Sequence, residues 1–244
     1  MKKLTVVFAA AACLAISCLG FAQSSGNFSY GTSPQNETGC VLQSNGGISG
    51  GEQCEMNCTL NDDGSSTCTA ASGTCIGNAV AGIKTSSGSG NVFVIRPSAV
   101  VGLLTDVTVS SKQLTASSSA LAGVDVQVTV TPQSGQAAPT VIPSFPITYD
   151  ARYIQISTNL FQALSTQCLA IDGGCFITFN ESTVSAHSFD WIATGLSSGN
   201  YGVTVNWSST LGGTGISKSL TCVGPLNLTV QQNKVFSFNR VNSL

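Results

Sequence analysis

The sequence predicts an all-β protein: an antiparallel β-sandwich preceded by a small disulfide-rich segment. From about residue 91 onward, apolar and polar residues alternate in short runs, which is the two-residue period of half-buried strands. Before that point cysteine and glycine are frequent and large apolar residues are few, so cross-links must supply much of the order. We expect a signal peptide at 1–22, a Cys/Gly-rich head at 23–80, a Gly/Ser linker at 81–90 and a β-sandwich domain at 91–244.

The first 22 residues have the pattern of a secretory signal peptide. Two lysines precede an uncharged apolar run from Leu4 to Leu19, and small residues follow up to Ala22. Because the run is shorter than the roughly 20 residues that span a bilayer, we expect cleavage after Ala22 and no transmembrane span in the mature chain. A second interpretation stays open: the segment ending at Cys18 resembles a bacterial lipoprotein signal, in which that cysteine carries the lipid anchor.

Composition agrees with a secreted or cell-surface protein, periplasmic or extracellular. Charged residues are 8% of the chain, against about 25% in an ordinary soluble domain. After the predicted signal, seven basic residues stand against eleven acidic ones, and no basic patch occurs. Nucleic acid is therefore not an expected partner.

Eight of the ten cysteines follow the predicted signal. An even number in an exported chain predicts disulfides. The spacings do not match paired zinc motifs, and the chain has one histidine, so we expect no metal and no cofactor. The disulfide candidates are Cys40, Cys54, Cys58, Cys68, Cys75, Cys168, Cys175 and Cys222.

Residues 58 to 68 predict a hairpin, because Asp63-Gly64 at its tip suits a turn that needs positive φ. We expect Cys58 to pair with Cys68 across it and Cys54 to pair with Cys75 outside it, although other connectivities stay open.

The distribution of cysteines ties the head to the body. Five lie in the head and three in the body, and because both counts are odd, full oxidation requires at least one bridge between the two parts. Cys168 and Cys175 bracket a short loop and predict a local bridge. Cys222 is then left for the head, with Cys40 as the expected partner.

Within the body, the clearest strand is 124–130, where valines alternate with Asp, Gln and Thr. Four prolines between 132 and 146 predict an irregular or edge segment, and 159–164 is the one expected helical turn. The remaining expected strands are 92–95, 104–109, 153–157, 175–179, 187–192, 201–207, 226–230 and 235–238.

The run from Ala193 to Val205 resembles the penultimate loop and strand of bacterial immunoglobulin-like and fibronectin-type extracellular modules, in which Gly-Leu-x-x-Gly-x-Tyr precedes a core strand. The resemblance implies that Leu196 and Tyr201 are buried and pack together. Residues 207–230 resemble the C-terminal end of small jelly-roll domains. Both resemblances imply a sandwich, Ig-like or jelly-roll, and leave its topology open.

No catalytic motif is marked in the sequence. His187 and Asp190 are three residues apart, which places them on opposite faces of a strand, and no Gly-x-Ser-x-Gly occurs. No pair of carboxylates stands out for glycoside hydrolysis. Asp62-Asp63-Gly64 lacks the alternating acids of a calcium loop and predicts a turn.

The aromatic residues Trp191, Tyr201 and Trp207 are the candidates for stacking against a sugar. Val203 and Val205 share a strand face with Tyr201 and Trp207, which indicates a core stripe, so a buried role is the favoured interpretation and Trp191 or Trp207 is the best candidate for an exception.

These observations lead to three functional hypotheses. The first is a non-enzymatic secreted or cell-surface protein with a structural or adhesive role. The second is a binding module for carbohydrate or another surface ligand, with surface proteins or glycans as partners. The third is a secreted hydrolase, which would need a serine within hydrogen-bond reach of His187.

Overall fold

The computed structural model describes residues 27–33, 38–85, 90–111, 117–159 and 175–235. The predicted signal peptide with Cys18, the loop cysteine Cys168 and most of the expected helical turn at 159–164 lie outside these ranges. The described residues form β1 (Phe28–Thr32), β2 (Val41–Leu42), β3 (Ile48–Ser49), β4 (Glu52–Leu60), β5 (Ser66–Cys68), β6 (Ser72–Gly73), β7 (Ile76–Thr85), β8 (Asn91–Ser110), β9 (Ser117–Pro132), β10 (Thr140–Ile142), β11 (Ile147–Ser157), β12 (Phe176–Ser188), β13 (Trp191–Thr194), β14 (Gly199–Thr214) and β15 (Ile216–Lys234).

Two antiparallel sheets pack face to face, which confirms the all-β sandwich. The large sheet has nine strands in the order β10-β13-β8-β15-β4-β5, with β12 beside β8, β1 beside β15 and β6 beside β4. The small sheet has the order β11-β9-β14-β7, and β2 and β3 form a separate hairpin.

The centre of the large sheet is built from two unusually long strands. β8 has 20 residues and joins the expected strands at 92–95 and 104–109 into one element. β15 has 19 residues and pairs with β8 along its length, with one register shift between Val223 and Leu226. Gly224 and Pro225 occupy that irregularity, where proline's missing N–H is tolerated.

The core lies between the two sheets and is dominated by alternating aliphatic residues. On β9 the side chains of Val124, Val126, Val128 and Val130 all point into it, as the alternation predicts. The residues with the largest buried side chains are Trp191, Trp207, Tyr201 and Phe93.

The loop before β14 is fixed by a tyrosine hydroxyl. The Tyr201 hydroxyl donates to the Ser197 carbonyl oxygen at 3.1 Å and accepts from the Ser197 N–H at 3.0 Å. Leu196 and Tyr201 both lie in the main core, so the burial implied for them is confirmed. The ring of Phe93 meets that of Tyr201 edge-on at 5.6 Å.

The head is continuous with the sandwich. β4 pairs with β15 from Ser217 opposite Cys58 to Val223 opposite Glu52. The β2–β3 hairpin lies on the outer face of the large sheet, where Ile48 packs in a second small core with Leu104 and Leu220. The head therefore gains its order from the large sheet as well as from disulfides.

The structure differs from the expected boundary between head and body. Residues 81–85, placed in a Gly/Ser linker, belong to β7, and Ala79, Ala81 and Ile83 point into the core. The alternation was missed because alanine and glycine are poor strand formers, so their local preference does not indicate a strand. Burial between the sheets overrides that preference.

The three disulfides of the described residues are the pairings that the spacing suggested. Cys58 pairs with Cys68 across the β4–β5 hairpin, and Cys54 pairs with Cys75 outside it. Cys40 pairs with Cys222 over 182 residues and ties the head to the large sheet. Cys175 is also disulfide-bonded, with a partner outside the described residues.

Candidate functional site

His187 lies at the open side of the sandwich, where β12 of the large sheet faces β11 of the small one. Its Nε2 is 2.6 Å from the Ser185 hydroxyl and 3.8 Å from the Asp150 carboxylate. The neighbouring Tyr149 hydroxyl donates to the Pro97 carbonyl at 2.8 Å, and burial raises the pKa of Tyr149 well above its ordinary value. A serine, a histidine and an aspartate therefore lie together, and the serine is within the hydrogen-bond reach of His187 that the hydrolase hypothesis required.

The arrangement does not match a hydrolytic triad. A triad needs the aspartate on Nδ1, so that Nε2 is free to take the proton of the serine. Here Ser185 and Asp150 both approach Nε2. Ser185 also sits in the middle of a regular strand, without the strained turn that presents a nucleophile. We interpret the group as a set of polar contacts that join the two sheets.

Asp190, the acid that the sequence placed near His187, has a different partner. Its carboxylate receives two hydrogen bonds from Arg96, at 2.6 and 2.7 Å. These bonds, and secondarily the guanidinium charge, lower the pKa of Asp190. The pair joins β8 to the segment between β12 and β13 on the outer face of the large sheet.

The three stacking candidates are all buried. Trp191 is 0% exposed, Tyr201 1% and Trp207 2%, so none of them offers a ring to a sugar. The buried role that the sequence favoured is confirmed, and the alternative of stacking against a sugar is wrong, because each residue lies on the core face of its strand. Phe189 is 41% exposed and packs edge-on against Trp191 at 4.9 Å.

The Asp62-Asp63-Gly64 segment forms the tip of the β4–β5 hairpin. The Asp63 carboxylate accepts hydrogen bonds from the hydroxyl and N–H of Ser65, which lower its pKa. Across the described ranges, no group of three or more His, Cys, Asp or Glu side chains is placed to share a metal ion.

The outer face of the small sheet carries a depression of about 410 Å³. Its centre is a row of three amides on three adjacent strands, because Asn206 of β14 lies opposite Gln127 of β9 and Asn78 of β7. In the next row Ser208 lies opposite Asp125 and Ile76. We call these six residues, with Pro146 at the margin, the amide face.

Asp125 is the one charged residue lining this depression, and it is held in place by two hydroxyls. Thr148 donates to one carboxylate oxygen at 2.5 Å and Thr210 to the other at 3.2 Å. Each oxygen keeps a further lone pair for another donor. Below the amides lies the indole of Trp207, against Gly77, whose missing side chain leaves room for the indole nitrogen.

No protein-family model matches this chain, and no curated protein does. Among the described residues, no helix is long and apolar enough to cross a membrane.

The sequence did not reveal the group around His187 or the row of three amides, and the reasons differ. Ser185 and His187 are two apart on a strand, so their shared face was available from the spacing. Asp150 belongs to the opposite sheet, and only the packing brings it close. The amide row depends on the register of three strands from distant parts of the chain, which no local pattern specifies.

Proposed function

We propose that this chain is a non-enzymatic secreted or cell-surface protein with a structural or adhesive role, built to keep its fold under tension. The signal-like first 22 residues and the disulfides support export. The observation that carries the structural role is the bridge between Cys40 and Cys222, together with where the two ends of the described chain lie.

The two ends lie side by side. β1 pairs antiparallel with the last part of β15, with Phe28 opposite Gln231 and Thr32 opposite Asn227. A pull on the flanking segments therefore loads neighbouring strands at the same end of the sheet and opens their hydrogen bonds one after another. Without a covalent stop, such opening would continue into the core.

The bridge supplies that stop. Cys40 and Cys222 enclose a loop of 182 residues that tension applied outside the bridge cannot reach. Asn27 and Cys40 are 13 positions apart in the sequence, and so are Cys222 and Val235. Fully extended, these two segments together span about 90 Å at ~3.5 Å per residue, so most of the sandwich is shielded.

Force spectroscopy on single molecules, tethered through segments flanking 27–235, tests the proposal. We expect the described part of the wild-type chain to lengthen by no more than about 90 Å. The Cys40→Ser/Cys222→Ser variant should lengthen by roughly 650 Å at the same load, since only the short loop inside the Cys54–Cys75 bridge stays closed. The Cys58→Ser/Cys68→Ser variant is the matched control, since its bridge closes a loop of 10 residues inside the shielded part. Wild-type lengthening by several hundred ångströms without reductant would refute the shielding.

A further inference from the structure

We propose that the amide face of the small sheet is a binding site for a neutral saccharide. The inference goes beyond the structural role and does not depend on it, because a protein with a covalent stop need not bind sugar. It replaces the buried aromatics as the place where a glycan would be held.

The amides of this face are free to bind a ligand. Within the described part of the chain, the side chains of Asn78, Gln127 and Asn206 have no hydrogen-bond partner, whereas some other surface amides are engaged. Asn57, for example, donates to Glu55 at 2.7 Å, and Asn180 donates to Asp106 at 3.1 Å. Each free amide offers two donors and one acceptor in a plane, which suits neighbouring hydroxyl groups.

The row of amides has the dimensions of a short sugar chain. Adjacent strands lie about 4.8 Å apart, so the three amides extend over roughly 10 Å, a length comparable with a disaccharide. The volume of about 410 Å³ falls within the range of small-molecule sites. Because the side chains stand on paired strands, their spacing is set by the sheet before any ligand arrives.

The margins of the depression supply an apolar surface and a hydrogen-bond acceptor for a sugar. Ile76 is 73% exposed and lies beside Ser208 and near Pro146, so it offers apolar surface to the C–H groups of a sugar ring. The Asp125 carboxylate, oriented by Thr148 and Thr210, accepts hydrogen bonds from sugar hydroxyls. A pocket with apolar margins and a few oriented polar groups is the usual form of a ligand site.

The charge of the site selects among ligand classes. No lysine or arginine lines the depression, and its single charge is negative, so phosphates, nucleic acids and acidic sugars are disfavoured. A peptide would seek a free strand edge, where backbone groups are unpaired. Four of the six residues of the amide face stand on β9 and β14, whose backbones are already paired with each other. Asn78 and Ile76 stand on β7, the edge strand of the small sheet, but the depression lies on the face of the sheet and not along that edge. A ligand rich in neutral hydroxyls fits best.

Titration with cellohexaose, chitohexaose, mannohexaose and galactohexaose tests the site, with hexagalacturonic acid as the acidic comparison. Binding is followed by calorimetry and by tryptophan fluorescence, in which a change is expected from Trp207 because it lines the depression. We expect at least one neutral hexaose to bind saturably below about 10 mM and the acidic one to bind more weakly. Failure of all four neutral sugars to bind would overturn the proposal.

Two variants locate the binding. The Gln127→Ala/Asn206→Ala variant should weaken it about tenfold or more, because it removes two side chains that hydrogen-bond the sugar. The Gln231→Ala variant changes an exposed amide on the large sheet and should leave it unchanged. Asp125→Asn should reduce the preference for neutral over acidic sugar. Equal affinity of the wild type and the double variant, with both folded by circular dichroism, would also overturn the proposal.

Discussion

Gly51 lies directly against the sulfur of Cys222. A methyl group on the Gly51 Cα would stand 2.6 Å from that sulfur and 2.7 Å from the sulfur of Cys40. The φ of Gly51 is 56°, in the left-handed region that favours glycine. The bridge between head and sandwich therefore depends on a glycine that the sequence shows only as one of many.

Substituting this glycine should disturb the bridge. We expect Gly51→Ala to lower the free energy of unfolding by more than about 2 kcal/mol, since it adds left-handed strain to a clash with both sulfurs. Urea denaturation measures the loss, and thiol labelling measures unpaired Cys40 and Cys222. Gly82→Ala is the control, because nothing lies within 4 Å of its added methyl. We expect that control to be neutral or more stable by about 0.5 kcal/mol. Equal stability of the two variants would contradict the tight packing described at Gly51.

The hydroxyl of Tyr201 should contribute measurably to stability. Tyr201→Phe removes the three hydrogen bonds to Ser197 and keeps the buried ring, so we expect a loss of about 1 kcal/mol in the free energy of unfolding. Tyr153→Phe, whose ring is 61% exposed, should cause no change. Denaturation of both variants in urea gives the comparison. A loss that is the same for both would mean that the Ser197 bonds add nothing.

Some features of the fold could be predicted from the sequence, and others could not. The alternation of valines predicted the core face of β9 correctly, because burial on one side of a sheet imposes a period of two. The odd numbers of cysteines in the head and in the body also predicted a bridge between the two parts correctly, because any fully oxidised pairing needs one. The linker expected at 81–85 is wrong, because these residues belong to β7. Alanine and glycine have little local preference for a strand, and burial between the sheets overrides that preference.

The loss of stability at acid pH should depend on Asp190. Its pKa is lowered in the folded state by Arg96, so the pair stabilises the fold above the ordinary Asp pKa of about 3.9. The contribution is lost as the pH falls through the lowered value. Thermal unfolding between about pH 2 and pH 7 should show less acid destabilisation in Asp190→Asn than in the wild type. Arg96→Gln should flatten the same region, and high salt should reduce the difference because the pair is exposed. If the stability of all three proteins falls in parallel with pH, the pair of Arg96 and Asp190 does not contribute to the loss of stability in acid.

The group around His187 should be chemically inert. Because Ser185 and Asp150 share one ring nitrogen, we expect no activation of the Ser185 hydroxyl. A fluorophosphonate probe, read by mass spectrometry, should label the wild type no more than Ser185→Ala. Labelling of the wild type at Ser185, absent from the variant, would restore the hydrolase hypothesis and contradict a non-enzymatic role.

The sites that the sequence did not reveal share one property. The amide row, the contact between His187 and Asp150 and the packing at Gly51 each join residues from strands far apart in the chain. Local spacing specifies which side chains share a strand face, but the register between strands depends on the whole sheet. The burial of Trp207 was different, because the valines on its strand face already indicated a core position.

The bridge between Cys40 and Cys222 closes the fold covalently, and a peptide map of the unreduced protein tests this most directly. Digestion under conditions that block thiol exchange, followed by mass spectrometry, should recover a peptide pair joined through Cys40 and Cys222, and bridges from Cys54 to Cys75 and from Cys58 to Cys68. The joined Cys40–Cys222 peptides should separate on reduction. A map in which Cys40 or Cys222 carries a free thiol, or in which every bridge stays within the head or within the body, would contradict the account.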